Sequence, residues 1–306
     1  MGRIFKIVKN RDLLLILSIV LGLVAGNVAH WTEKGVIPIL AVVMTLTTMG
    51  IPGNVFRSPW TLVWPVFLGL VMNYGVLGGV LLGLNALLIR EEAFRAGFII
   101  IIAVPPAIAV IPFTSLLNGD SPFSLIATIG CYLSALVLMP IITFSFLGEG
   151  FADRTKLLTI MIELILVPLI FSRLLRWSGL EKKIDPYKGA ITNWSFFLVT
   201  YTIVGLNRNL FLNQPWEIAP VVLIALISTF LLGEGIEVIG RIFKVNSSRL
   251  ISLILLGTHK NTGLAAGLAL TLFGDKTALP AAVSTIFMIV YIIWLNLKGH
   301  RNQSPA

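Results

Sequence analysis

A lysine stands inside an apolar run. Residues 250–273 have the length and composition of a membrane span, yet their middle reads Gly257, Thr258, His259, Lys260, Asn261, Thr262, Gly263. Lys260 is about 11 residues into the run, roughly 16 Å at 1.5 Å per residue. That is the middle of a hydrocarbon layer ~30 Å thick, where ionisable groups are rare, costly and usually functional. Three roles are open to such an amine. It can be a fixed positive charge, it can exchange protons, since burial disfavours the charged form of an amine, or it can lock the structure as one half of an ion pair. The first candidate partner for a pair is Glu163 in "TIMIELILVPLI", also near the centre of its own apolar run, with Glu234 and Glu237 in "LLGEGIEVIG" second. His259 is expected to be a hydrogen-bonded neighbour, because no second His, Cys or carboxylate stands at metal-ligand spacing from it.

A second interruption matches the first. Pro105 and Pro106 break the apolar run "IIIIAVPPAIAVIPF". Neither can donate an N–H, and their rings clash with carbonyls one turn back. The carbonyls of Ile101 and Ile102 therefore lose their helical partners, so this stretch must face protein or a wet cavity. The turns "NGDSPFSLIATI" (118–129) and "FGDKTALPAAVS" (273–284) stand 155 residues apart, and the same offset lays Pro105-Pro106 on Lys260-Asn261. Half the chain thus repeats the other half, with an odd number of spans in each. Such inverted repeats, with helices broken at matching places, mark secondary transporters that bind their cargo near the midplane.

The composition demands lipid as solvent. Of 306 residues, 57% are hydrophobic and 12% charged, with mean hydropathy +0.93, against about 25% charged in a soluble domain. Ten apolar runs suffice to cross a bilayer as helices: about 12–29, 36–50, 61–88, 96–117, 122–146, 156–177, 188–206, 216–239, 250–273 and 277–297. The expected fold is an all-α polytopic membrane protein of two inverted five-helix repeats, 1–150 and 151–306, whose spans 4 and 9 cross as discontinuous helices. No signal-peptide cleavage site follows the first run, so that run is read as a span. Alternate loops carry 15 and 7 Lys and Arg, which places both termini in the cytoplasm of a multi-pass protein of the inner (plasma) membrane. The net charge of +9 is accounted for by these loops rather than by nucleic acid. The single cysteine, Cys131, excludes an internal disulfide. Gly22 and Gly26, and Gly75, Gly79 and Gly83, stand at the four-residue spacing that lets helices approach closely.

The run Leu256-Gly257-Thr258-His259-Lys260-Asn261-Thr262-Gly263-Leu264-Ala265-Ala266 resembles the signature of the bile acid:sodium symporter family, within the bile, arsenite and riboflavin transporter superfamily. "VPPAIAVIPFTSLLNGDSPFSLIAT" (104–128) is similar to that family's first crossover, and "VVMTLTTMGIPGNVFRSP" (42–59) to its second helix. The resemblance implies a panel of spans 1, 2, 6 and 7 moving against a core of spans 3–5 and 8–10. A Glu163–Lys260 pair would then cross the moving interface as a latch. It also implies sodium ligands at the crossing, most of which this chain lacks. The family's Ser-Asn pair falls on Val110 and Ile111, its glutamate on Leu256 and its glutamine on Lys260. Ser124 and Thr128 keep ligand chemistry, and Asn73 stands for a glutamine of the third span.

Sodium beside a lysine ammonium would be repelled, by roughly 4 kcal/mol at 4 Å with an effective dielectric of about 20. No family-like sodium site and no cofactor are therefore expected, and the proton is the alternative coupling ion. The expected function is secondary transport of a small organic anion, at a site built from Lys260, Asn261, Thr262, His259, Pro105, Pro106, Ser124, Thr128, Asn73 and Glu163. A cation/proton antiporter of similar fold would want a carboxylate at the crossing. An intramembrane aspartyl protease would want a Gly-x-Gly-Asp motif, which Gly119-Asp120 and Gly274-Asp275 do not supply, so no enzyme is expected. A transport-inactive sensor or scaffold is the remaining alternative. Lipid and a small anion are the expected partners, and the oligomeric state is left open.

Overall fold

The computed structural model describes residues 11–49, 59–147, 155, 159 and 162–301. Among these residues it is helical throughout, without strands: α1 (Arg11–Ala25), α2 (Ala29–Glu33), α3 (Val36–Met49), α4 (Pro59–Leu70), α5 (Gly78–Leu88), α6 (Glu92–Ala103), α7 (Val110–Leu116), α8 (Ser121–Leu147), α9 (Val167–Trp177), α10 (Glu181–Leu206), α11 (Arg208–Asn213), α12 (Pro215–Leu226), α13 (Leu232–Ile242), α14 (Ser247–Leu256), α15 (Thr262–Phe273) and α16 (Asp275–Arg301).

Six rods are long and apolar enough to cross a membrane: Leu13–Glu33, Leu62–Leu88, Ser121–Leu147, Glu181–Leu206, Pro215–Ile242 and Asp275–Lys298. They fall on six of the ten apolar runs. The second run is the short helix α3, and the sixth is described from residue 162 onward apart from 155 and 159. The fourth and ninth are each cut in two, α6 from α7 and α14 from α15. Large side chains such as Val137 and Ile141 are more than half exposed within their rod, as suits a chain whose outer solvent is hydrocarbon.

Two rods are joined by π-helical turns, α4 to α5 through Val71–Leu77 and α12 to α13 through Ile227–Leu231. Moved by the 155-residue offset, the first turn covers the second. Wide turns of this kind appear as single insertions inside α-helices, frequently at functional sites. The reversals differ in detail. The left-handed residue is Asn118 in the first (φ 58°) and Gly274 in the second (φ 101°). The α14 N-terminus is capped by Asn246, whose side chain accepts from the Ser248 N–H at 3.0 Å, so the Asn-Ser-Ser triplet serves as a helix cap.

Contacts divide the chain into two units: Met1–Ile51 with Glu149–Ala219 and Gly263–Ala282, and Pro52–Gly148 with Pro220–Thr262 and Val283–Ala306. In the first unit α1 lies tight against α10. A Cβ on Gly22 would come within 2.9 Å of Val204, and one on Gly26 within 2.8 Å of the Gly205 carbonyl. In the second unit Gly69 and Gly130 admit α8 and α4 to each other in the same way. The glycine spacing in the third span reads differently. Nothing lies within 4 Å of a Cβ built on Gly75, Gly79 or Gly83, so the expected close approach there is not made. Spacing alone identifies small residues and not the helix that would use them.

Gly233 gives a test of this packing. A Cβ there would run into the hydroxyl of the fully buried Tyr291. Gly233→Ala is expected to destabilise by ~1–3 kcal/mol through overpacking, lowering the melting temperature by several degrees. Gly83→Ala, into open space, is expected to leave it unchanged or slightly raised. Thermal unfolding of the purified protein checks both.

Candidate functional site

The two breaks meet within the second unit. Between α6 and α7 the chain is extended from Val104 (φ −68°, ψ 153°) through Pro105 and Pro106. Between α14 and α15 it turns at Gly257 and Thr258 and then extends. The extended pieces form an antiparallel bridge with Pro106 opposite Lys260. The Ala107 N–H donates to the His259 carbonyl at 3.1 Å, and the Asn261 N–H to the Pro105 carbonyl at 2.9 Å. Pro106 sits in the non-hydrogen-bonded position of this pair, so its missing N–H leaves no bridge bond unmade. In this ladder Pro105 stands opposite Asn261, the pair into which the 155-residue offset carries Lys260 and Pro106.

Lys260 fills the end of the other broken helix. Its side chain is 2% exposed. The ammonium donates to the carbonyls of Ile102 at 2.7 Å and Val104 at 2.9 Å and lies 4.1 Å from the centre of the Tyr74 ring. An ammonium has three N–H donors, and two carbonyls and one aromatic face occupy its surroundings. Ile102 is the residue whose carbonyl loses its helical donor to Pro106. The C-terminus of α6 also carries the negative end of the helix dipole, which favours a cation. The acceptors of Lys260 are thus backbone atoms. Among the described residues of its own unit no carboxylate lies within ion-pair distance of it; Glu163 belongs to the π-turn Ile162–Leu166 of the first unit, where it is exposed.

Asn73 attends the other helix end. Fully buried in the π-turn after α4, it donates through Nδ2 to the Leu256 carbonyl (3.1 Å) and the His259 carbonyl (3.4 Å). The remaining predicted residues gather nearby. Asn261 Nδ2 donates to the Tyr132 hydroxyl at 2.6 Å, and the Thr262 hydroxyl accepts from Thr285 at 2.7 Å. The Thr258 hydroxyl donates to the Ile254 carbonyl (2.7 Å) and stands 2.8 Å from His259 Nδ1. Pro105 and Pro106 are buried. Ser124 accepts from the Thr114 hydroxyl at 2.9 Å. The buried Thr128 hydroxyl has no hydrogen-bond partner among the described residues.

Two of the positions where the resemblance implies sodium ligands, Val110 and Leu256, are hydrocarbon here. Both are fully buried, in one apolar cluster with Ala107, Phe123, Ala127, Leu255, Met288 and Ile292. Among the described residues no group of three His, Cys, Asp or Glu could hold a metal ion. Thr45 and Thr48, polar residues of α3, donate to carbonyls of their own helix, those of Ala41 and Met44; the Thr47 side chain lies outside the described residues.

Sequence reasoning did not single out Tyr74 or Tyr132. Tyr132 lies four residues after Thr128, on the same helical face, and that spacing could have marked it. Nothing distinguishes Tyr74 from any other aromatic residue in a membrane helix. Also unforeseen was the contact between the Asp120 turn and the start of α14. Asp120 Oδ2 receives Arg249 Nε (3.0 Å) and Nη2 (2.8 Å), and its N–H reaches the Ser248 carbonyl and the Ser252 hydroxyl.

Comparison with known proteins points to a family of transporters. The profile of the SBF-like CPA transporter family, a bile acid:sodium symporter-like group, matches residues 12–295. A curated relative, "Uncharacterized sodium-dependent transporter YocS" of Bacillus subtilis (strain 168), is 22% identical over 284 residues, 92% of this chain and 85% of the relative. With the family profile matched over nearly its whole length, this chain belongs to the SBF-like CPA transporter family, a family of membrane transporters.

Proposed function

We propose that the protein is a secondary active transporter of a small organic anion, working by alternating access without a family-like sodium site, and that Lys260 is a tethered cation at the crossing. The observation that carries this reading is the ammonium itself, seated on the free carbonyls of Ile102 and Val104 at the end of α6. Half-helix ends and unwound carbonyls are where transporters of this kind coordinate their coupling ions. Here a side chain takes those acceptors. Val110 and Leu256, packed together in place of the family's oxygen ligands, support the same conclusion. A fixed positive charge at a desolvated midplane site favours an anionic cargo such as a carboxylate.

The proposal includes a ten-span inverted repeat. Matching π-turns and the near-symmetric bridge argue for it. So do contacts in which both partners fall on one predicted side: Arg249 with Asp120, Lys298 with Glu234 and Glu237, Arg208 with Asn27, and Arg173 with the Thr48 carbonyl. The first contact unit holds the described parts of spans 1, 2, 6 and 7, with 263–282 added, and the second holds most of the rest. This partition supports a panel and a core as the moving parts.

A second reading, sodium coupling, is favoured by the name of the Bacillus relative. Proteoliposome uptake of a panel of carboxylates, under sodium and proton gradients imposed separately, distinguishes them. The tethered-cation reading expects uptake that is indifferent to sodium and lost in Lys260→Gln. Uptake driven by sodium in the unaltered protein overturns it.

A further inference from the structure

We propose that Tyr74 is a positioning residue for Lys260, acting through the face of its ring and not through its hydroxyl; its effect on transport rests on the function proposed above. The ring centre lies 4.1 Å from the ammonium, inside the ~6 Å range over which an aromatic quadrupole attracts a cation, and such contacts strengthen when desolvated. Ile102 and Val104 hold the ammonium from the side of α6. Tyr74 closes it in from the third span, where the π-turn Val71–Leu77 carries both Tyr74 and Asn73. One wide turn therefore serves both broken helices, with Asn73 on the carbonyl end of α14 and Tyr74 on the cation that occupies the carbonyl end of α6.

The hydroxyl gives the inference its edge. It is buried and has no hydrogen-bond partner among the described residues. A buried hydroxyl without a partner is a cost rather than a contribution. The stabilising part of the side chain is the aromatic face, which phenylalanine retains and leucine does not.

The test is a pair of double-mutant cycles on the full chain, read by thermal unfolding in detergent, with Lys260→Met as the common second change. Tyr74→Leu and Lys260→Met are expected to be non-additive, with a coupled shift of several degrees. Tyr74→Phe and Lys260→Met are expected to be additive, because phenylalanine keeps the ring face and the hydroxyl it removes makes no contact with the lysine; the Phe single variant should melt at or above the unaltered protein. Additivity in the leucine cycle overturns the proposal, as does a phenylalanine variant that behaves like leucine, which would assign the role to the hydroxyl. Carboxylate uptake supplies the second readout. Tyr74→Leu is expected to raise KM about tenfold with little change in kcat, and Tyr74→Phe to stay within about twofold in both. Loss of kcat alone in Tyr74→Leu overturns a positioning role. The melting cycles need no substrate, so an absence of carboxylate uptake in the unaltered protein would sink the proposed function while leaving the ring contact to stand or fall on its own.

Discussion

Lys260→Ala is expected to reduce anion transport by 100- to 1,000-fold while changing the melting temperature by only a few degrees. The two parts of this result have different causes. A unit charge 4 Å from an anion in an environment of effective dielectric about 20 contributes roughly 4 kcal/mol, and each 1.4 kcal/mol is tenfold in affinity. Stability responds less because two effects oppose each other. Truncation strips the Ile102 and Val104 carbonyls of their donor, at ~1–3 kcal/mol for each buried group left unmatched. It also removes the need to hold an ammonium away from water, which is itself a penalty of several kcal/mol. Small primary amines extend the test. Propylammonium supplies the carbons and ammonium that the truncation removes, and millimolar amounts are expected to restore part of the uptake in Lys260→Ala but not in Lys260→Gln, whose longer side chain fills the space. A bulky quaternary amine should restore none, since it has no N–H to offer the carbonyls. Undiminished uptake in Lys260→Ala without added amine would remove Lys260 from the site altogether.

The breaks were legible in the sequence because proline and a polar run inside hydrocarbon each have one physical meaning. Pro105 and Pro106 had to free carbonyls, and the Ile102 carbonyl is indeed found outside the helical ladder, on Lys260. What the lysine would bind was not legible. Side chains are written in a sequence and free carbonyls are not, so a search for partners turns to carboxylates such as Glu163, whereas the acceptors at hand are main-chain oxygens. The π-turns were hidden for a related reason. "VMNYGVL" and "ISTFL" have the composition of ordinary helix, and widening of a turn is set by what packs around it. The glycines show the opposite failure. Gly75, Gly79 and Gly83 have a spacing that reads as a helix contact, but spacing cannot say whether a partner is there, and nothing lies near them. Six rods followed from hydrophobic length alone. The fourth and ninth runs are interrupted because seating Lys260 on the Ile102 and Val104 carbonyls requires backbone that is not helical.

Asp120→Ala is expected to give the reverse of the Lys260 pattern, a large loss of stability with a smaller loss of transport. Asp120 holds two things at once. Its Oδ1 accepts the Phe123 N–H at 3.0 Å, capping α8, and because Pro122 has no N–H the third residue of the helix is the one the cap must reach. Its Oδ2 receives both Arg249 donors, while the guanidinium packs 4.0 Å over the Phe123 ring. The cap contributes ~1 kcal/mol. The charged hydrogen bonds, which are partly exposed and so discounted, add about 1–2 kcal/mol. A loss of about 2–3 kcal/mol is therefore expected in thermal unfolding, with Asp120→Asn recovering the cap but not the ion pair. Arg249→Leu should be non-additive with Asp120→Ala, since each removes the same pair. The location of the loss is as informative as its size. α14 is tied at its start to the Asp120 turn through Ser248 and Ser252, and just beyond its end to the Pro106–Lys260 bridge. Cutting the first tie should raise hydrogen exchange over Ser247–Leu256 and leave the bridge amides of Ala107 and Asn261 protected. If those bridge amides exchange equally fast in Asp120→Ala, the two ties open together, and the crossing depends on the clasp instead of being held by its own hydrogen bonds and the lysine seated beside them.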